Sequence, residues 1–394
     1  MNDNKPIVLI GFSQAFAAIE AAWSLQAAGL RVVAFGRRGV RTALSRIRGV
    51  DVMEITAPES SVAGALADLE HAIKELGPSA VLPLDDASLW LLARTNLGEV
   101  TLIGPSRNGA DLALDKSEQL TAAERAGFAV PPTLRVRDGV LTGDVAWPIV
   151  LKAADAVRQE GDRLVRPRGA ICADWDELTA ALPTLGAGEL LCQPLLSGTG
   201  EGIFGFADES GPTALSAHRR VRMVNPHGSA SSACESIDVE SSLIAPVERL
   251  LDSVGWTGLF MVELLRDKSG VAWFMELNGR AWGSLALARR RGYEYPAWAA
   301  QHSLGLARRP ALPAAPPRVL ARHLGRELAH FLFVLRGPQS AAVKNWPSRG
   351  RTALDLLTVT RQDRLYNWNA RQPSVLAADT IGTLTELVSG RKRT

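Results

Sequence analysis

Three polar residues at two-residue spacing close an apolar run in "FMELNGRAWGS": Glu276, Asn278 and Arg280. Side chains alternate along a strand, so this spacing sets all three on one face. A second apolar run, "GLFMVELLRD", carries Glu263 and is joined to the first by "DKSG", which reads as a hairpin. If Arg266 pairs with Val271, then Glu263, Phe274, Glu276, Asn278 and Arg280 share a face. Glu263 and Glu276 become diagonal neighbours, about 7–8 Å apart. Two buried carboxylates without counter-charge are costly. A hard cation removes that cost: Mg2+ prefers carboxylate and amide oxygens and bridges to substrate phosphates. Glu263, Glu276 and Asn278 are therefore candidate metal ligands. Arg280 is no metal ligand but suits a phosphate or acyl-phosphate oxygen. A structural Arg–Glu network on a sheet surface is the competing reading.

Other residues bear on that choice. Lys116 follows Asp115 near a helix start, and Lys152 follows "PIVL", a run expected to be buried. "SGTGEG", Ser197 to Gly202, offers backbone N–H groups and the acid Glu201 in what reads as a Gly-rich connection. "AHRRVRMVNPHGSASSACESI" gathers His218, Arg219, Arg220 and Arg222, with Glu235 beyond a polar loop.

The elements around these residues begin as α/β. "PIVLIGF" reads as a buried parallel strand, "AFAAIEAAWSLQAAGL" as a helix stopped at Gly29, and "RVVAFGRRG" as the next strand. "SAVLPLDDASLWLLART" follows as strand, loop and helix, with Asp85 and Asp86 at the strand's end. Such alternation predicts a parallel sheet covered by helices. Its first turn, "GFSQAF", lacks the G-x-G-x-x-G dinucleotide fingerprint. One helix is expected from about Asp111 to Ala126, stopping at Gly127. A helix capped by Asp174 follows, and another is expected after Pro296. The stretch from Leu306 to Arg322 reads as a Pro/Ala-rich linker. In the tail, Trp368 is expected to pack a docking segment against the body.

Composition narrows the rest. A chain of 394 residues is long for a single core. A net charge of +3 gives no global field for nucleic acid or membrane. The three cysteines, Cys172, Cys192 and Cys234, form neither a disulfide framework nor a metal spacing. With no signal peptide and no apolar run near the ~20 residues of a membrane span, the expectation is a cytoplasmic protein with reduced thiols. The basic end "SGRKRT" reads as a frayed terminus.

Taken in order, four segments resemble the ATP-grasp superfamily, in particular carbamoyl phosphate synthetase large-subunit domains and carboxylate–amine ligases. "LALDKSEQLTAAERAGFAVPPT" is similar to the family's D-K segment, and "WPIVLKAADA" to its second ATP-lysine strand. "LLCQPLLSGTGEGIFGF" is similar to the hinge and following strand, and "WTGLFMVELLRD…WFMELNGRAWGS" to the paired magnesium strands. The resemblance runs to about Leu304. It implies an ATP-grasp α/β (α+β) fold: a Rossmann-like pre-ATP-grasp domain at 1–110, an ATP-grasp domain at 111–305 with a lid subdomain at about 130–195, a linker at 306–322 and an extension at 323–394.

The resemblance also implies roles. Lys116 and Lys152 contact ATP phosphates. Gln193, Pro194, Leu195 and Leu196 form the hinge along the adenine, and Glu201 holds the ribose. Glu263, Glu276 and Asn278 bind Mg2+, with Mn2+ as an alternative. Arg280 stabilises the transferred phosphoryl group, and Arg220 or Arg222 binds the substrate carboxylate or its acyl phosphate. The chain departs from the family at Gly279, where Pro is usual, and at Gln193, where Glu is common. It also carries "AADAVRQEGDRLVRPRG" in place of a small glycine-rich lid loop, so Arg158, Arg166 and Arg168 are candidates for covering the phosphates. The implied activity joins a small carboxylate to an amine (a thiol being the lesser alternative) through an acyl phosphate, releasing ADP and phosphate. A bicarbonate-using carboxylase and a non-catalytic nucleotide-binding regulatory module are the alternatives. No nucleic-acid partner is implied, and self-association is left open.

Overall fold

The first sheet follows from runs apolar on both faces. A computed structural model describes residues 5–389 apart from 138–139, 142, 187, 227–229, 307–309 and 339–345. The basic end, most of "SGRKRT", and the middle of the polar loop before Glu235 lie outside the described residues. The chain opens with β1 (Ile7–Gly11), α1 (Ala18–Ala27), β2 (Arg31–Arg37), β3 (Val50–Ile55), α2 (Val62–Leu76), β4 (Ala80–Pro83), α3 (Asp86–Leu92) and β5 (Thr101–Leu102). Their strands form a parallel sheet in the order β3-β2-β1-β4-β5. Val8, Leu9 and Ile10 of β1 are fully buried, as an inner parallel strand requires.

The helix expected from Asp111 to Ala126 is two helices, α4 (Arg107–Leu114) and α5 (Lys116–Ala126). Asp115 breaks the run. Its backbone is extended, and its Oδ1 accepts from the amides of Ser117 (2.8 Å) and Glu118 (3.1 Å), so it caps α5 and sets Lys116 at the first helical position. Gly127, at φ +94°, supplies the left-handed stop.

A second sheet comprises β6 (Leu134–Arg137), β7 (Val140–Leu141), β8 (Ile149–Ala153), β11 (Ala170–Cys172) and β12 (Leu190–Pro194), ordered β11-β8-β12-β6-β7. The hairpin β9 (Arg158–Glu160) and β10 (Arg163–Val165) stands apart from it, and α6 (Trp175–Ala181) begins at its Asp174 cap, as expected. Ile149, Leu151, Cys172, Leu190 and Cys192 pack together on one side. Strand alternation sends Lys152 and Gln193 to the other.

The largest sheet has seven strands: β13 (Gly198–Asp208), β14 (Gly211–Met223), β15 (Ser231–Ile237), β16 (Gly258–Asp267), β17 (Ala272–Asn278), β18 (Leu320–Arg322) and β19 (Asp363–Leu365), ordered β17-β16-β13-β14-β15-β18-β19. The helix α7 (Ser241–Asp252) packs near β14 and α5, while α8 (Leu285–Arg290) and α9 (Tyr295–Ser303) lie on the α1 side. Two expectations change here. "SGTGEG" is part of β13 itself, not a connection. The expected linker ends in β18, which pairs with β15, so the segment after Leu306 extends the sheet. The remainder, α10 (Leu324–Arg336), α11 (Arg349–Leu357) and α12 (Pro373–Ser389), folds back onto it. Trp368 is half-exposed, whereas its neighbours Tyr366 and Asn367 are buried. Among the described residues no helix is long and apolar enough to cross a membrane, and all three cysteines are free and buried.

Candidate active site

The hairpin that carries the acids differs in register from the simple reading. Arg266 pairs with Ala272, Leu264 with Phe274, and then Met275 is bulged out, so Glu263 faces Glu276 and Met261 faces Asn278. The shift at the turn and the bulge together move the pairing by two residues. Parity is kept, and both acids stay on one face. They are directly opposed rather than diagonal, about 5 Å apart at Cβ. The bulge turns Phe274 to the opposite face, where it packs on Phe128 at 5.5 Å between ring centroids.

Directly opposed carboxylates repel, and the surroundings divide the pair. Arg220 Nη2 donates to Glu263 Oε2 at 2.5 Å, and Asn278 Nδ2 lies 3.5 Å from Oε1. Burial favours protonation of Glu263, yet Arg220 and then Arg280 hold it below the ordinary carboxylate range. Glu276 makes no hydrogen bond or ion pair among the described residues. Burial pushes its carboxyl up, Glu263 and Asp86 adding to the effect against Lys116 and Arg280. Asn278 is buried, and its Oδ1 has no partner among the described residues. Lys152 is held below its usual value by burial and by Lys116, against the pull of Glu276 and Glu263.

Glycines let β14 reach across β13 to this pair. A Cβ at Gly200 would sit 2.7 Å from Arg220 Cδ, and one at Gly202 would sit 2.9 Å from His218 Nε2. His218 is fully buried, bonded through Nδ1 to Ser284 Oγ at 2.6 Å, and pushed down to about 3 by burial and by Arg220. It is a neutral imidazole.

The structure separates other expected members. Glu201 pairs in register with Leu264, not Glu263, so it points to the reverse face of the sheet. There it binds Arg219 (2.9 Å) and Arg266 (2.8 Å), beside a cavity of about 340 Å3. It cannot hold a ribose at the acid pair. The cationic cluster is split by alternation and by a bulge after Arg220. His218 and Arg220 face the acids, Arg219 faces away, and Arg222 binds Glu327 of α10 at 2.6 Å. Arg222 therefore does not join the pair. Gln193 Nε2 donates to Thr133 Oγ1 at 2.9 Å, and Leu195 N to Pro148 O at 2.8 Å; Pro194 and Leu196 continue the segment half-buried. Arg158 is taken by Glu160 at 2.6 Å and Arg168 is exposed, whereas Arg166 reaches Asp86. Sequence reasoning missed Asp86 as a partner of Arg280 (3.0 Å). Its only signal was its place at the end of a parallel strand, where open α/β sheets bind ligands.

Lys116, Lys152, Arg166, Arg220 and Arg280 thus surround Glu263, Glu276 and Asp86, a surplus of positive charge suited to a polyanion. The donor set fits Mg2+: two carboxylates, one without a partner, and an orphaned amide oxygen, with positions left for phosphate oxygens.

This architecture is the ATP-grasp fold. Among solved structures, the chain is similar to an L-amino acid ligase from Bacillus licheniformis, with a TM-score of 0.59 and 16% identity over 77% of this chain and 75% of that one. It is similar to the biotin carboxylase domain of Hydrogenobacter thermophilus 2-oxoglutarate carboxylase, solved with MgADP, ADP and bicarbonate, at 0.58 and 16% over 79% and 72%. It is also similar to N5-carboxyaminoimidazole synthetase from Staphylococcus aureus, at 0.60 and 13% over 83% and 84%. No family model and no curated relative matches.

Proposed function

We propose that the protein is an ATP-dependent ligase that activates a carboxylate as an acyl phosphate and joins it to an amine. The observation that carries this reading is the convergence of four cations, Lys116, Lys152, Arg220 and Arg280, on an opposed acid pair with an orphaned amide oxygen, with Arg166 joined through Asp86, on an ATP-grasp fold. Glu263, Glu276 and Asn278 would hold Mg2+, which when bound neutralises phosphate charge as phosphoryl transfer proceeds. Lys116 and Lys152 bind the phosphates, and Gln193 to Leu196 run along the adenine. A substrate carboxylate oxygen attacks the γ-phosphorus, and the bond to ADP breaks. Arg280 neutralises the moving phosphoryl group, and Arg220 orients the acyl group. The amine then attacks the acyl carbon, phosphate leaves, and the nitrogen loses a proton. The chain's contribution is position and charge. Bicarbonate as the carboxylate is the second reading, favoured by likeness to the bicarbonate-bound carboxylase domain.

The test is ADP and phosphate release by the purified protein with Mg2+ and ATP, against pools of small carboxylates and amines. Release that requires both a carboxylate and an amine supports the ligase, and release with bicarbonate alone supports the second reading. Nucleotide binding without turnover in any pool would favour a regulatory module.

A further inference from the structure

Asp86 belongs to the first sheet's helix α3, not to any strand of the acid pair, yet it ends inside the site. Its neighbour Asp85 already caps α3, accepting from Ser88 N at 2.8 Å, so Asp86 is not needed there. Instead its two oxygens are shared between two guanidiniums. Oδ1 accepts from Arg280 Nε at 3.0 Å, and Oδ2 from Arg166 Nη2 at 3.1 Å. Asp86 is buried, with a side chain 9% exposed, whereas that of Arg166 is 55% exposed. Nε and Nη1 of Arg166 have no partner among the described residues.

Arg166 is delivered by an anchored segment. The β9–β10 hairpin stands where the family resemblance leads one to expect a free glycine-rich loop, and here it is tied to the first domain. Val62 N donates to Asp162 O (2.7 Å), Ala63 N to Asp162 Oδ1 (2.8 Å) and Ser61 Oγ to Asp162 Oδ2 (2.6 Å). Leu164 N donates to Pro58 O (2.8 Å), and the Leu164 side chain is buried in the same core as α2. The hairpin thus sets Arg166 beside Asp86, only two residues beyond Leu164.

We propose that Asp86 is a positioning residue that holds Arg166 and Arg280 as a two-guanidinium clamp on the terminal phosphoryl group of ATP, with Arg166 supplying the contact. One carboxylate between the two cations offsets their repulsion; Arg280 Nη1 also donates to Ala281 O at 3.2 Å, so Arg280 Nη2 and Arg166 Nε and Nη1 are the donors left, among the described residues, for phosphate oxygens. The proposal rests on the nucleotide reading above.

The clamp touches the phosphoryl group that ADP lacks, so it predicts a change in discrimination rather than in binding overall. Full-length protein is titrated with Mg2+ and either ADP or the non-hydrolysable β,γ-imido analogue of ATP. Arg166→Gln and Asp86→Ala should each shrink the preference for the triphosphate by about tenfold. The double variant should lose little more than either single one, because both changes dismantle one unit. Arg166 is largely exposed, so Arg166→Gln keeps the test open should Asp86→Ala fail to fold. An unchanged preference in Arg166→Gln, or fully independent losses in the double variant, overturns the clamp and leaves the ligase reading standing. No nucleotide binding by the unsubstituted protein overturns both.

Discussion

The two faces of β13 solve the same problem in opposite ways. On the reverse face Glu201 is buried and closed: Arg219 and Arg266 bind its two oxygens, and Arg266 continues to Glu240. On the front face the acids are open: among the described residues Glu263 has one arginine, Glu276 no bonded partner, and Asn278 a buried oxygen with none. Glu201 is the more buried, its side chain 4% exposed against 24% for Glu263, and the two faces differ above all in completion. A buried ionic network that satisfies its members is explained by the fold. One left incomplete, with further cations gathered around Glu276 but not bonded to it, is what a ligand would complete.

Replacing each carboxylate by its amide tests that contrast. The largest effect is expected at the open end. Glu276→Gln removes a charge that no described residue bonds and relieves its repulsion with Glu263. Magnesium-dependent ADP formation should fall by about 10^3-fold or more, while resistance to urea stays level or rises. Full activity in this variant would mean the acid pair is not a metal site. Glu327, at the closed end, accepts from Arg222, Arg322 and Ser232. Against its burial, the bond from Arg222 leads the interactions that hold its carboxyl below the ordinary range. A depressed folded pKa stabilises at pH above the unfolded value and loses that contribution as pH falls through the folded one. Glu327→Gln should therefore cost about 3 kcal/mol near neutral pH. The gap to the parent should narrow as pH drops below the usual glutamate range of about 4.3. Urea melts of the two proteins across pH would reveal a pH-independent gap if the charge is irrelevant.

Much of this contrast was readable before any coordinates. The apolar runs predicted the parallel sheet, and the E…E-x-N-x-R spacing predicted that Glu263, Glu276 and Asn278 share a face. The faces of single strands were harder. A bulge at Met275 moved Phe274 across the sheet, and another after Arg220 parted Arg220 from Arg222. Bulges are set by packing against neighbours, which a single strand's pattern does not encode. Glu201 was misplaced because "SGTGEG" looks like a turn. Its glycines at 200 and 202 are strand positions emptied to admit Arg220 and His218. Asp86 was invisible as a partner because the contact to Arg280 spans 194 residues.

Two smaller effects complete the series. Glu201→Gln breaks a closed network, but Arg219 is 43% exposed and can turn to water, so the loss should be near the low end for such pairs, about 2 kcal/mol. Turnover per folded molecule should be unchanged, since Glu201 points away from the acids. A loss of turnover at unchanged stability would bring the reverse face into the chemistry and dissolve the contrast. The smallest effect is expected at Trp368, the residue whose type most suggests an anchor for the tail. Trp368 is 45% exposed, while neighbouring Tyr366 and Asn367 are 3% and 1% exposed. Asn367 is held from both sides, its amide donating to Glu20 Oε1 at 2.9 Å and its Nδ2 to Asp379 Oδ2 at 2.9 Å. The Trp368 contact to Arg290 runs through the backbone carbonyl, which substitution leaves in place. Trp368→Ala should thus shift stability by about 0.5 kcal/mol, the scale of an ordinary surface change. A loss several times larger would show that the tail is fastened by apolar contact rather than by completed polar bonds.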